Sequence, residues 1–546
     1  MPLLSGAQNA FGDLHINKVK AALVSNGDLF WDYVNAGFEV PADSGRHTIL
    51  AGALWIGALD AGNQLRMAGQ TYRQTGNDFF AGPVSSASVY NSAYDAQWAQ
   101  LWPVRKTMID SFRLGLYGMS IPAVIQNWPG NGNVSQGQAA QLAPYVDVNA
   151  DNVYTPSNGD YPCIKGDGAV FFLFNDDRNT HTETGGQKLG IEIHGMMYGF
   201  KMPGTVLDST IFIHYKIINR SANNYHDVRL GHFADFDIGL YSDDYIGCDV
   251  SRGMFFGYNG DAVDGQTSQP QPGAYGADPP SQSIMLLRGP EADPGDSMDN
   301  DFDGTVDETG ETCALSRFVY YNNDFTVTGN PVTPMDYYNY LGGTWKDGSP
   351  ITYGGTGYGG SVPAWFMFPD DSDPLGLGTN GVPQAAWNEF GSGNLPFDRR
   401  GLGSCGPFTL SAGEEICVDF GYVFARGTGG FNGWKAARSA AADQVRAFFD
   451  STATCNCQPW PLGIDEPALV QVGLYPNPVA DQLTIDFEAK GKNARYQLSD
   501  LSGRIVAKGR LEGNRTTLDV SSLPASVYLV KIVDETRVAV GKFVRR

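Results

Sequence analysis

Apolar and small residues alternate through HTILAGALWIGALD, where Leu50, Leu54 and Ile56 fall on one side. Asp60 to Asn63 then supply turn chemistry, and Leu65 and Met67 resume the alternation, so the stretch predicts a β-hairpin. Ala169 to Phe174 is a continuous apolar run, as expected of a strand buried on both faces. Leu189 to Met197 alternates, and so does Ile211 to Ile218, where Ile211, Ile213, Tyr215 and Ile217 share a face. Phe408 to Ala425 predicts two strands around a turn at Ser411 to Glu414.

Helical spacing is rarer. Asn17 to Val24 is expected to be a short helix, with Val19, Leu23 and Val24 apolar, and Tyr94 to Leu114 to be partly helical with a break at Pro103. The clearest helix is Asn432 to Asp450, where Trp434, Ala437, Ala441, Val445 and Phe448 recur every three or four residues. Residues 259–296 and 342–400 are rich in Gly, Pro and Asp and are expected to be long loops, of a length that usually marks function or ligand ordering. The pattern predicts a mainly β protein: a large antiparallel β-sandwich-type body with a few helices and long loops, from residue 1 to 458, of one or two subdomains. Pro459, Pro461 and Pro467 mark a linker over 459–472, and residues 473–546 read as a small C-terminal β-sandwich.

Charge narrows the partners. With 37 Lys and Arg against 59 Asp and Glu the formal net charge is −22, which repels phosphate backbones and excludes nucleic acid as a partner class. No apolar run is long enough to cross a bilayer; Ile49 to Leu59 is too short and is interrupted by Gly52 and Gly57. The first residues, MPLLSGAQNAFGDLH, have neither the basic start nor the apolar centre of a signal peptide. The seven cysteines form no CxxC pair, which argues against a structural zinc; Cys405 and Cys417, flanking a turn, are the expected disulfide.

The tail carries a family pattern. Tyr475-Pro476-Asn477-Pro478, Leu498-Ser499-Asp500 with Gly503-Arg504, Leu523 with Tyr528, and a terminal Lys542-Phe543-Val544 follow in order. Residues 473–546 thereby resemble the type A-like C-terminal sorting domain of type IX secretion cargo proteins of the Bacteroidetes; Ala525-Ser526-Val527 stands where that family usually has a glycine. The resemblance implies recognition by the type IX secretion machinery, a signal peptide lying outside this chain, and a final place outside the cell or on its outer surface. The body resembles large uncharacterised exported proteins of the same bacteria, in AGALWIGALDAGNQLRMAGQTYRQ, VDVNADNVYTPSNGDYP and FNDDRNTHTETGG, and this brings no activity with it.

Candidate chemistry is mostly carboxylate. In MDNDFDGTVDETGE, Asp299, Asp301 and Asp303 occupy alternate positions, Gly304 follows where a left-handed turn is wanted, and Thr305 offers a carbonyl. Asp307, Glu308 or Glu311 can close the shell, which is the ligand logic of a Ca²⁺ loop; the plain alternative is a solvated acidic loop. Asp147, Asn149 and Asp151, with the Val153 carbonyl and Asp160, repeat the plan less fully, against an Asx turn. Asp235 and Asp237 form a third cluster beside Asp243, Asp244 and Asp249, with Asn259, Asp261 and Asp264 as neighbours. His181 with Glu183, and Glu192 with His194, can bind metal or act as acid and base if the two pairs face each other. No HExxH, GxSxG or phosphate loop is present. Trp55, Trp98, Trp102, Trp128, Trp345, Trp365 and Trp387 are candidates for sugar stacking or for the core. The leading expectation is a secreted or surface-attached, calcium-stabilised structural or adhesive protein rather than an enzyme, with self-assembly through strand edges as a variant. The alternatives are a metal-dependent hydrolase of polysaccharide or protein, and a binder of surface polysaccharide without catalysis.

Overall fold

A computed structural model describes residues 9–546 apart from 33, 73–75, 118–119, 266–271, 453, 458–471, 488–493, 501–503, 512 and 534–537. The expected linker lies outside the described residues except for its last position. Contacts divide the chain into a body, Met1–Pro459, and a tail, Trp460–Arg546.

Two large antiparallel sheets form the body. Its strands are β1 (Phe11–His15), β2 (Lys20–Val24), β3 (Phe38–Glu39), β4 (His47–Asp60), β5 (Leu65–Gly69), β6 (Phe80–Ala81) and β7 (Trp102–Arg105). There follow β8 (Tyr145–Val146), β9 (Tyr161–Pro162), β10 (Gly168–Asn175), β11 (Ile191–Gly199), β12 (Thr210–Asn219), β13 (Tyr225–Phe236) and β14 (Asp244–Asp249). The last are β15 (Met254–Asn259), β16 (Val263–Asp264), β17 (Gly276–Ala277), β18 (Ser281–Arg288), β19 (Arg317–Tyr321), β20 (Arg399–Leu410) and β21 (Glu415–Ala425). The first sheet runs β1-β2-β3-β4-β13-β20-β19 with β5 on β4; the second runs β14-β15-β18-β21-β12-β11-β10-β6 with β7 on β10.

The core lies between the sheets. His232 of β13 reaches Tyr422 of β21, Phe236 of β13 meets Phe255 of β15 at 5.9 Å between ring centres, and Phe30 meets Tyr422 at 4.9 Å. Outside the first sheet a second apolar layer forms. The helix Pro334–Leu341, opened by a Thr333–Asp336 capping box, packs on β4, β5, β13 and β20. Its Tyr337 meets Trp55 at 4.7 Å, and Trp55 stacks on Phe233 at 5.6 Å. The long helix Gly430–Thr452 covers β18 and β21 of the second sheet.

Several expectations are corrected. Asn17 to Val24 holds a strand rather than a helix: Lys20–Val24 pairs with Phe11–His15, with Ala21 and Leu23 buried and Lys20 and Ala22 half-buried between them. The region 259–296 is not all loop, since Ser281–Arg288 is a buried strand inserted between β15 and β21. Cys405 and Cys417 do not pair, because the turn between them carries the chain from the first sheet to the second. The disulfides are Cys163–Cys457 and Cys417–Cys455, which fasten the segment after the long helix back onto the second sheet; Cys248, Cys313 and Cys405 are buried thiols. All the tryptophans singled out except Trp365 are buried, so they serve the core.

The tail has a three-stranded sheet, Gly473–Tyr475, Gln482–Asp486 and Arg515–Asp519, and a four-stranded one, Arg495–Asp500, Ile505–Arg510, Ser526–Val533 and Val538–Arg545. Leu483, Ile485, Leu498, Val530, Ile532 and Phe543 fill its core. The motif residues fasten it. Asn477 donates to the Lys542 carbonyl at 3.0 Å and accepts from the Val544 amide at 2.9 Å, and the Tyr528 hydroxyl donates to the Pro524 carbonyl at 2.8 Å.

Candidate functional site

A cleft of about 570 Å³ opens at one end of the outer layer of the first sheet. Cross-strand register builds its floor. Ala51 of β4, Asp235 of β13, Arg400 of β20 and Tyr321 of β19 stand opposite one another in one row. Alternation in β13 decides which way Asp235 points: Phe236 and Ala234 lie among the inter-sheet core, so Asp235 and Phe233 face the outer layer.

A hydrogen-bonded network covers that floor. The Tyr72 hydroxyl donates to Asp235 Oδ2 at 2.6 Å and in turn receives Arg400 Nε. Arg400 Nη2 donates to Asp398 Oδ2 at 2.9 Å and lies 3.7 Å from Asp235 Oδ2, and Asn323 also donates to Asp398, at 3.3 Å. Burial pushes the Asp235 carboxyl well above the usual range, and Arg400 pulls it back only in part. Burial works against the Arg400 charge, but Asp235 and Tyr72 outweigh it and keep the guanidinium charged. Burial likewise raises Asp237, and His47, 3.8 Å away, lowers it. Two atoms of this network have no protein partner: Asp235 Oδ1 and Arg400 Nη1, both buried. The walls are aromatic, from Trp31, Tyr72, Tyr241, Tyr321, Phe325 and Tyr337.

Of the residues singled out by sequence, Asp235 and Asp237 meet here, and Asp398 joins them with carboxylate oxygens within 4.8 Å of one another. Glu183 lines the same cleft and accepts from Thr71. Its expected partners lie elsewhere. His181 is buried with its ring nitrogens on the carbonyls of Met67 and Asp176, at 2.7 and 2.9 Å. Glu192 and His194 pair with each other at 2.8 Å, and His194 lines a different cavity, on the outer face of the second sheet. The structure therefore does not bring His181, Glu183, Glu192 and His194 to one site. Tyr72, Trp31, Asp398 and Arg400 were not legible as site residues. TYR and FDRR carry no motif; the pairing of β13 with β20 sets Arg400 opposite Asp235, and Tyr72 joins them through its hydroxyl.

The acidic loop is a second centre. Asp299, Asp301 and Asp303 bring carboxylate oxygens within 4.8 Å of one another, and so do Asp301, Glu308 and Glu311, with Asp301 common to both sets. Asp299 accepts from the amides of Asp303 and Gly304 at 3.1 and 3.0 Å, and Gly304 takes the left-handed φ of +97°. The Thr305 amide donates to Asp303 at 2.8 Å. Asp307 turns away to cap the Ser297 amide at 3.2 Å. Burial first, and then Asp303, Asp299 and Glu311, raise the Asp301 carboxyl. These sets can hold a metal ion.

The 147–160 loop is self-satisfied by contrast. Asp147 accepts from Ala150 and Asn152 at 2.7 Å each, and Asp151 from the Val153 amide at 2.8 Å and the Asn149 amide group at 2.8 Å. Asp160, fully buried, accepts from Val148 and Thr155 at 2.9 and 2.7 Å.

Residues 473–546 match the secretion system C-terminal sorting domain family. This tail marks a type IX secretion cargo protein. The cargo protein is accordingly exported to the cell surface or beyond, and its tail is the part that addresses the type IX machinery. No curated protein matches the chain. Among solved structures, a polysaccharide lyase shares 8% identity with a TM-score of 0.17, over 65% of this chain and 34% of its own. The cargo protein thus spans about a third of that lyase's length. PorZ, described as an essential bacterial surface component of the type IX secretion system of Porphyromonas gingivalis, shares 10% identity with a TM-score of 0.13, over 98% of this chain and 75% of its own. At these scores neither likeness carries a fold or an activity over to this chain. Among the described residues no helix is long and apolar enough to cross a membrane.

Proposed function

We propose that the exported body is a calcium-braced adhesive protein that grips a polyhydroxylated polymer, a surface or extracellular polysaccharide, in the Asp235–Arg400 cleft. One observation carries the reading: Asp235 Oδ1 and Arg400 Nη1 lie buried and unpartnered on the floor of an aromatic-walled cleft. An orphaned buried polar atom costs about 1–3 kcal/mol, and the state persists where a ligand supplies the partner. A sugar hydroxyl donates and accepts, so neighbouring hydroxyls satisfy both atoms whether or not Asp235 carries its proton. The tyrosine, tryptophan and phenylalanine walls suit the apolar faces of sugar rings. Arg400 already sets a positive charge between Asp235 and Asp398, which favours hydroxyls over a metal ion at this floor.

Calcium belongs, in this reading, to the 299–311 loop, with Asp299, Asp301, Asp303, Glu308 and Glu311 as carboxylate ligands. Five clustered carboxylates repel one another until a cation binds, and secreted proteins meet calcium at useful concentrations. The cleft is tested by affinity electrophoresis through gels containing bacterial or plant polysaccharides. Retardation by at least one polymer, relieved in Phe325→Ala and Tyr241→Ala, is the expected result; both side chains are exposed at the rim, so folding should survive. Unretarded migration in every polymer overturns the reading.

A further inference from the structure

The cleft does not end at its floor row. In β19 and β20 neighbouring residues point to opposite faces, so Tyr321 and Arg400 line the cleft while Tyr320 and Arg399 line a second cavity, of about 520 Å³. Asn323, just past β19, and Asp398, just ahead of β20, belong to both cavities, and their side chains are joined by a hydrogen bond of 3.3 Å. The rims join as well. Tyr241 of the cleft meets Phe397 of the second cavity edge to face, with ring centres 6.3 Å apart. One groove therefore runs from the cleft over the ends of this strand pair, with Asn323 and Asp398 as its saddle.

The groove is lined for rings and hydroxyls. Phe325 in the cleft and Leu395 in the second cavity are 82% and 84% exposed, and Tyr241, Tyr358 and Phe397 are half exposed. Large apolar side chains exposed together, with polar groups among them, mark an interaction face. Asn322, Asp324, Thr328, Thr356 and Asn394 stand among the rings of the second cavity. The apolar core of a protein partner would leave these groups unpaired, whereas a sugar chain offers hydroxyls beside each ring face. Charge narrows the ligand further. Among the described residues the cations lining the two cavities are Arg399 and Arg400. Arg399 is committed to Glu389, at 3.0 Å through both Nε and Nη2, and Arg400 to Asp398 and Asp235. The other charged groups of the lining are carboxylates: Glu183, Asp324, and Asp237, which His47 offsets in part. Such a groove repels uronate and sulfate groups and admits uncharged sugars.

We propose that the two cavities form one groove for an internal stretch of an uncharged polysaccharide, which crosses the Asn323–Asp398 saddle and lays rings on Tyr358 and Leu395 as well as on Phe325 and Tyr241. This rests on the glycan-binding reading of the cleft, and adds a second subsite and the charge class of the ligand. Each cavity alone has the size of a small-molecule site, so a short fragment fills one and leaves the other open. A chain that reaches both makes its second contact intramolecularly, so affinity rises with length until both are filled and then levels off.

The test is calorimetric titration of the full chain with oligosaccharides of increasing length from mannan, xylan, β-glucan and amylose, and with alginate and polygalacturonate as anionic chains. Within the neutral series that binds, long oligomers are expected to bind at least tenfold tighter than the disaccharide, and both anionic chains at least tenfold more weakly than those long oligomers. Tyr358→Ala/Leu395→Ala is expected to bind long oligomers no more tightly than the wild type binds the short fragment. Both side chains are exposed and neither lines the cleft, so folding should survive. Equal affinity for short and long neutral oligomers overturns the proposal. So does a length gain that survives the double variant, or a preference for alginate or polygalacturonate. A double variant that alters sedimentation but not glycan affinity also overturns it, and assigns these side chains to a contact between copies. In each of these cases binding that is still weakened by Asp235→Asn/Arg400→Met leaves the cleft reading standing; binding of no chain at all removes both.

Discussion

Arg400 is held by three neighbours at once. Tyr72 takes Nε, Asp398 takes Nη2, Asp235 lies across the strand pair, and the Tyr72 ring lies 5.4 Å from the guanidinium carbon. Only Nη1 remains for a ligand. Such pre-organisation matters because a floor already held in place loses little entropy on binding. His232 illustrates the opposite use of a buried polar group. Its Nδ1 donates to the Phe233 carbonyl at 2.7 Å, and its Nε2 is closed off by the Tyr422 hydroxyl, so the ring is a neutral member of the core. Burial pushes its pKa from 6.5 down to about 4. The folded value lies below the unfolded one, so this contribution is present above about 6.5 and is lost as pH falls toward 4, amounting to about 3 kcal/mol over the window. Urea unfolding at pH 7 and pH 4.5 should therefore show a steeper acid loss in the wild type than in His232→Phe, which has no proton to take up. Equal losses would contradict this account of the ring.

Among the elements, the two disulfides act on one segment. Cys455 and Cys457, just past the long helix, are tied to Cys417 of β21 and to Cys163 ahead of β10. They hold the end of the body against the second sheet before the chain leaves for the tail. Because the Cys163–Cys457 link closes a loop of 294 residues, its removal is expected to cost about 2–4 kcal/mol or more. A reductant, or Cys163→Ser with Cys457→Ser, should lower the melting midpoint by several degrees; an unchanged midpoint would show that the helix packing alone secures the segment. The sequence made this scale legible where periodicity was local. The Asp60 to Asn63 turn, the Ile211 to Ile217 face and the long helix all declared themselves within a few residues. The Cys pairing did not, because it depends on which sheet each strand joins. Lys20–Val24 was lost to the helix reading since Val19 and Leu23 also fit a four-residue spacing, and the edge strand β1 that settles it lies outside that window.

For the whole molecule, the tail was the most legible part and the cleft the least. The sorting pattern is carried by residues close in sequence whose roles, such as Asn477 clamping the terminal strand, follow from the fold of the tail itself. The cleft draws on Trp31, Tyr72, Asp235, Phe325 and Arg400, spread over most of the body, and exists only through the register of β4, β13, β20 and β19. With net charge −22 over the whole chain, the protein should depend on cations for full stability. At calcium a hundredfold above its dissociation constant, each bound ion adds about 2.7 kcal/mol. Chelator should lower the melting midpoint, and Asp299→Asn/Asp301→Asn should blunt that effect; a midpoint indifferent to chelator would remove the bracing role.

The central claim is that the cleft floor grips a glycan. Its most direct test is calorimetric titration of the purified protein with a panel of soluble surface polysaccharides and their oligosaccharides. The wild type is compared with Asp235→Asn/Arg400→Met, which exchanges both orphan-bearing side chains together so that neither charge is left alone. The account predicts saturable binding to at least one polymer and at least tenfold weaker binding by the double variant at similar melting temperature. Binding of the same strength in both proteins, or none in the wild type across the panel, would contradict it.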